Sequence, residues 1–326
     1  MQRDVDLRHD LVPSEREAER VREEHGESGE NGGAIGHIKE IGIAIKGPTE
    51  TPKGGQYRSA NVRMRQALGL YVGLRPSLTL PFPVQHGPAI DAVVIRENLG
   101  GFYGATETLD VDSDTGEETA TLMAKFTSAE IRRLTRYAAL WARANGRKKV
   151  TLVTKANIMP VWGGVYLRGF HGVMADFPDL VADDLLIDAI GERLVTRPDT
   201  IDVAVLENLF GDIMSDVAGG MAGGLGLATG VNVGDGRAVY EAVHGTAPDI
   251  MGQDKANPLA LILSAVRMLN DIGENAAAAR IDAAVKSLIM DGSAVTGDLR
   301  RFYPSGTRIV GTTGFVRALC DRIRHL

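Results

Sequence analysis

The strongest constraint on this chain is the way short β-type runs and helical patterns take turns along it. Val150 to Thr154 reads as a strand, Val161 to Asp176 and Leu185 to Val195 as helices, and Ile201 to Leu206 as a strand leading into a helix around Asp212. Upstream, Ile38 to Lys46 alternates as a strand, Ser59 to Leu70 is helical, and apolar strands follow at Leu70 to Leu74 and Ala92 to Ile95. A strand near Ala238 to Tyr240 precedes three helices, Leu259 to Leu269, Ala276 to Met290 and Gly314 to Ile323. Such alternation argues for an α/β architecture with a mainly parallel sheet core. Polar residues just past strand ends usually build the sites of such sheets. Arg75, Arg96, Lys155 and Asn208 stand at such places.

Local signals sharpen the outline. Thr127 and Glu130 have capping-box spacing, with Phe126 and Ile131 placed as a hydrophobic staple. The helix they open repeats Ile131, Leu134, Ala138 and Trp141 on one face and stops at Asn145-Gly146. The acidic, turn-rich stretch from Glu107 to Glu118 suits a protruding hairpin. An EF-hand is excluded there, because Asp110, Asp112 and Asp114 are followed by glycine only at 116 and no glutamate closes the loop. The run Gly219 to Gly226 follows a helix and fits no G-x-G-x-x-G register, so turns and close packing explain it better than a Rossmann fingerprint.

Composition removes whole classes of function. A net charge of −6 offers no general attraction to nucleic acid or anionic membrane, and the most apolar helical stretch is too short to span a bilayer and contains Arg267. With one cysteine, Cys320, no internal disulfide can form, and the charged N-terminus lacks a secretion signal, so a cytoplasmic protein is expected. Residues 1–33 are too charged and glycine-rich to pack and are expected to be a mobile tail.

Chemistry concentrates between Val203 and Asn257. Asp212 and Asp216 are four apart, so on a helix both carboxylates share a face and can share a divalent cation. The same spacing also suits a solvated helix face or a pair favoured by the helix dipole. Several arginines (Arg58, Arg63, Arg65, Arg75 and Arg96) lack evident acidic partners in the sequence, which suits a substrate carrying two or three carboxylates.

Seven motifs, KGPTETPKGG, YRSANVRMR, LYVGLRP, VIREN, TKANIM, ENLFGDIMSD and EAVHGTAPDIMGQDKANP, resemble those of the isocitrate/isopropylmalate dehydrogenases, metal-dependent β-decarboxylating enzymes. The resemblance runs from about Ile38 to the C-terminus. It implies that family's two-domain α/β fold, with a mainly parallel sheet core rather than a Rossmann fold. A large cofactor-side domain would comprise 34–70 plus 223–326, and a small domain 71–222 would carry substrate, metal and dimer elements. By the same resemblance Ser59, Asn61, Arg65, Arg75 and Arg96 would hold the substrate carboxylates, and Tyr103 and Lys155 would be the proton-transfer pair. Asp212 and Asp216, with Asp188 as third carboxylate, would bind Mg²⁺ or Mn²⁺. Lys155 and Asp188 would reach the site from the neighbouring subunit of a homodimer, with the 107–125 hairpin as an intersubunit arm. The cofactor loop would be His244, Gly245, Thr246, Ala247, Asp249 and Ile250, with Thr51 on the nicotinamide side and Asn257 near the adenine. At Asp249 a carboxylate can accept bonds from a free ribose hydroxyl but repels a 2′-phosphate, which favours NAD over NADP. Ser59 and Asn61 stand where relatives acting on isopropylmalate carry leucines, so isocitrate, a 2-hydroxy tricarboxylate, is the expected substrate. The family's opening strand and Gly-Asp-Gly-Ile-Gly-Pro-type loop have no counterpart here.

Overall fold

The computed structural model of the protein describes residues 33–49 and 59–326. Apart from Gly33, the tail expected over 1–33 lies outside the described residues, as do Thr51 and Arg58.

The chain opens with α1 (Gly33–Ile41) and β1 (Ile43–Lys46). The pattern predicts one strand over Ile38 to Lys46, but Gly42, at φ +83°, ends a helix there and only the last four residues are extended. Then come α2 (Ala60–Leu68), β2 (Val72–Leu78), β3 (Asp91–Glu97) and a separate two-stranded hairpin, β4 (Gly101–Val111) with β5 (Glu118–Lys125). The hairpin expected from the acidic stretch is thus present, turning at Asp112, whose carboxylate accepts from the backbone of Asp114 and Thr115. Helix α3 (Ser128–Ala144) starts with the full capping box at Thr127 and Glu130.

The chain continues through β6 (Lys149–Thr154), α4 (Pro160–Met174), β7 (Val181–Leu186), α5 (Ile187–Thr196), β8 (Val203–Leu206) and α6 (Asn208–Ala222). After β9 (Thr229–Gly234) and β10 (Arg237–Ala242) come α7 (Leu259–Asp271), α8 (Asn275–Asp291) and α9 (Thr312–Arg324). Strand β7 carries no apolar alternation, and β9 carries only the short Val231-Asn232-Val233 alternation between glycines. VADDLL is a half-exposed edge strand, and TGVNVG owes its place to neighbours on both sides. Hence Leu185 and Leu186, expected in a helix, close a strand. Arg75 and Arg96, expected past strand ends, lie within β2 and β3, because both strands run further than their apolar runs.

Among the described residues all strands but the hairpin form one eight-stranded sheet, ordered β1-β10-β9-β2-β3-β8-β6-β7. Four of its seven pairings are parallel. Alternation across the pleat sends Leu74, Val93, Ile95 and Val205 to one face, under α3 and α4. Ala92, Val94, Ala204 and Leu206 go to the other, under α5 and α6. Each fully buried leucine or isoleucine on these faces contributes about 1.5–3 kcal/mol of transfer free energy. A third cluster joins α7, α8 and α9 around Leu288, Leu299 and Phe315.

Candidate active site

A polar strip interrupts the apolar face beneath α6. The register places Arg96 opposite Gly73 and Gly73 opposite Asn232, while Glu241 faces Gly230 on the next strand pair. Because alternate residues share a face, Arg75, Arg96, Asn232 and Glu241 all project to the same side. Burial is nearly complete, with Arg65, Arg75 and Arg96 at 7%, 4% and 2% exposure. Two glycines make room for them. A Cβ on Gly230 would lie 1.5 Å from Arg75 Nη1, and one on Gly211 would lie 2.7 Å from Arg96 Cγ.

Arg65, Arg75 and Arg96 are not free of acidic partners, contrary to the expectation from sequence. Glu241, at the end of β10, accepts from Arg75 Nη2 at 2.9 Å and from Asn232 Nδ2 at 2.7 Å, with Arg65 Nη2 at 3.5 Å. Its second oxygen meets Lys46 Nζ at 2.8 Å. The arginine contacts bridge more than a hundred residues of sequence, which is why no local pattern announces them. Burial alone would raise the Glu241 carboxyl, but Arg75, Lys46 and Arg65 hold it well below the ordinary glutamate range. Arg65, which also donates to Asn232 Oδ1 at 3.0 Å, is lowered to about 10 by burial and then by Arg75. Arg75 keeps two buried donors, Nε and Nη1, without a partner among the described residues. Cations desolvated this far favour an anionic ligand.

Helix α6 supplies the carboxylates. Arg96 Nη1 pairs with Asp212 Oδ1, and Tyr103 of β4 donates its hydroxyl to Asp212 Oδ2. The Arg96 guanidinium lies 4.9 Å from the centre of the Tyr103 ring. Burial and then the hydrogen bond to Asp212 raise Tyr103, whereas burial lowers Arg96 against the pull of Asp212. One turn along, the Asp216 carboxyl is raised by partial burial and then by the charge of Asp212. Two hard oxygen donors on one helix face, one raised by the other's charge, fit a Mg²⁺- or Mn²⁺-sized cation.

Lys155 and Asp188 are not part of this cluster. They follow the ends of the adjacent parallel strands β6 and β7, where Lys155 Nζ donates to Asp188 Oδ1 at 2.5 Å. That hydrogen bond keeps the Asp188 carboxyl below its ordinary range. Among the described residues no group of three or more His, Cys, Asp or Glu side chains gathers to hold a metal.

Ser59 sits at the N-cap of α2, and Asn61 accepts from Thr49 Oγ1 at 3.0 Å. His244, Gly245, Thr246, Ala247, Asp249 and Ile250 form the loop after β10, which is exposed from Gly245 to Asp249. Ala247 adopts φ +47° before a turn over Pro248–Ile250. The Asp249 carbonyl accepts from Gln253 at 2.7 Å, and the Asn257 amide donates to Asp298 at 2.9 Å. Glu241, Asn232 and Lys46 belong to the site although no sequence pattern assigns them a role in it, even with Glu241 opening the EAVHGTAPD motif and Lys46 opening KGPTETPKGG.

A family model described as isocitrate/isopropylmalate dehydrogenase matches residues 22–319. The chain is 40% identical to a mitochondrial regulatory subunit of the NAD isocitrate dehydrogenase of Dictyostelium discoideum, over 81% of this chain and 74% of that one. It is 37% identical to an NADP isocitrate dehydrogenase of Rickettsia bellii, over 94% of this chain and 62% of that one. Among solved structures, the isocitrate dehydrogenase of Methylococcus capsulatus superposes with a TM-score of 0.83 at 41% identity, covering 89% of this chain and 84% of that one.

Proposed function

Since the chain belongs to the isocitrate/isopropylmalate dehydrogenase family, we propose that it catalyses NAD-dependent oxidative decarboxylation of isocitrate to 2-oxoglutarate and CO₂, with Mg²⁺ or Mn²⁺. The observation that carries this reading is the buried set Arg65, Arg75 and Arg96, with two Arg75 donors that have no partner among the described residues, facing the Asp212 and Asp216 carboxylates. Guanidinium forks bind carboxylates, and three of them suit a tricarboxylate. Ser59 and Asn61 offer a hydroxyl and an amide where an alkyl-bearing substrate would need apolar side chains. The relatives named as isocitrate dehydrogenases support the same substrate.

Asp212 and Asp216, with Asp188 of a second copy, would hold the cation, whose Lewis acidity polarises the substrate hydroxyl and neighbouring carboxylate. Lys155 of the second copy, once it has released its own proton, would take the hydroxyl proton at Nζ, and the nicotinamide cofactor, when bound, would supply the hydride acceptor. Arg65, Arg75 and Arg96 keep the remaining carboxylates fixed while CO₂ departs. The Tyr103 hydroxyl, already aimed at Asp212, delivers a proton to the carbon left behind.

Asp249, exposed in its turn, supports NAD because its carboxylate would repel a 2′-phosphate. The NADP enzyme among the relatives makes this a point to measure. A non-catalytic role in a larger assembly is the second reading, favoured by the similarity to a chain named as regulatory. Retention of Tyr103, Lys155 and the three aspartates supports catalysis instead. Purified protein with Mg²⁺, NAD and a panel of 2-hydroxy di- and tricarboxylates should reduce NAD with isocitrate as the best substrate. Silence with the whole panel would sink the enzymatic reading, and equal rates with NADP would sink the role of Asp249.

A further inference from the structure

Arg96 donates to Asp212 from Nη1 alone, and the rest of its fork is occupied from behind. Asn208, the first residue of α6 and only 1% exposed, accepts from Arg96 Nε at 3.0 Å and Nη2 at 2.7 Å through one oxygen, Oδ1. Its Nδ2 donates to the Gly100 carbonyl at 3.1 Å and lies 3.5 Å from Glu97 Oε2. We propose that Asn208 is a positioning residue for substrate binding. One amide sets the rotation of Arg96 and fixes the turn from which β4 carries Tyr103.

The chemistry of the neighbours allows few other side chains here. Arginine has only donors, so the group beneath it must accept. The Gly100 carbonyl and the Glu97 carboxylate only accept, so the group facing them must donate. A short primary amide offers both in one plane and carries no charge. An aspartate would satisfy Arg96 but would set acceptor against acceptor at Gly100, and its charge would compete with the substrate for the guanidinium. Glu97 braces the same turn by accepting from Leu99 N and Gly100 N, each at 2.8 Å. Gly211, one helical turn after Asn208, lets α6 lie against the Arg96 stem. Arg96, the Tyr103 strand and the Asp212 helix thus meet at one buried side chain, and no rotation of Arg96 away from the site keeps both Asn208 bonds.

The inference rests on the assignment of Arg96 to a substrate carboxylate. It is tested in the full-length chain with Mg²⁺, NAD and isocitrate. Asn208→Ala should raise the KM for isocitrate about tenfold or more, the size expected for hydrogen bonds to a charged group, while the KM for NAD stays put. Isocitrate binding measured by calorimetry in an Asn208/Arg96 double-mutant cycle should be strongly non-additive, with Asn208→Ala costing little once Arg96 is alanine. Should Asn208→Ala fail to fold, Asn208→Ser, which keeps a shorter acceptor and donor, enters the same cycle with the same expected coupling. An unchanged KM for isocitrate, or additive losses, would overturn the role of Asn208. A wild-type chain that neither binds nor turns over isocitrate would instead overturn the functional reading, and this inference with it.

Discussion

Two ion pairs, Arg96 with Asp212 and Lys155 with Asp188, join residues expected at one active site, yet they are built in opposite ways. The Arg96 side chain is 3% exposed and is locked by Asn208, Asp212 and the Tyr103 ring. Its partner Asp212 is itself 40% exposed, so the burial lies on the cation. In the second pair, just past two strand ends, both sides are open, Lys155 at 27% and Asp188 at 64%. A buried charge must be compensated on every side, and the fold supplies that compensation from β3, α6 and β4. An exposed pair is screened by water and contributes little to the fold. The contrast teaches that the Arg96 pair is shaped by the chain's own core, whereas the Lys155 pair lies open on the surface, where the proposed reading has a second copy meet it.

The largest expected effect falls on the exposed half. Lys155→Met should lower kcat by about a thousandfold, as loss of a proton-transfer group does, while leaving the thermal midpoint close to that of the wild type. A large stability loss would mean that Lys155 is structural and that the contrast is false.

The buried half should behave the other way. Glu241→Gln leaves Lys46, Arg65 and Arg75 without their shared carboxylate and should cost about 3 kcal/mol of stability. The Glu241 carboxyl is depressed in the folded chain, so its contribution is complete above the ordinary value of 4.5 and is lost as pH falls below it. Wild-type stability should therefore decline in acid more steeply than that of Glu241→Gln, as read by urea melts between about pH 3 and pH 7. Parallel pH profiles would break the assignment.

A smaller effect is expected at Gly230. Its new Cβ would overlap Arg75 Nη1, so Gly230→Ala should cost about 1–3 kcal/mol and raise the KM for isocitrate more than it changes kcat. An unchanged KM would show that Arg75 can shift freely.

How much of this was legible in the sequence follows the same division. The alternation of strands and helices, the capping box at Thr127 and the acidic hairpin are local signals, and the structure carries each of them. Strand β7 was invisible because its place comes from its partner rather than from apolar alternation, and β9 because its alternation is only Val231-Asn232-Val233 between glycines. The i, i+4 spacing of Asp212 and Asp216 could be read directly, as could the arginines. The carboxylate that binds Arg65 and Arg75 could not, since Glu241 meets them across 176 and 166 residues. Gly230, which makes space for Arg75, gave no signal either, because a missing Cβ has meaning only once the facing strand is known.

The central claim, that the half-site of Asp212 is completed by Lys155 and Asp188 of a second copy, is tested most directly by complementation. Lys155→Met and Asp212→Asn chains, each inactive alone, are unfolded together, refolded as a mixture and assayed with isocitrate, Mg²⁺ and NAD. In a two-fold dimer with shared sites, half of the dimers are mixed and each has one intact site, so about one quarter of wild-type activity should return. If the mixture stays inactive while refolded wild type recovers, all the catalytic groups act within one chain and the claim is contradicted.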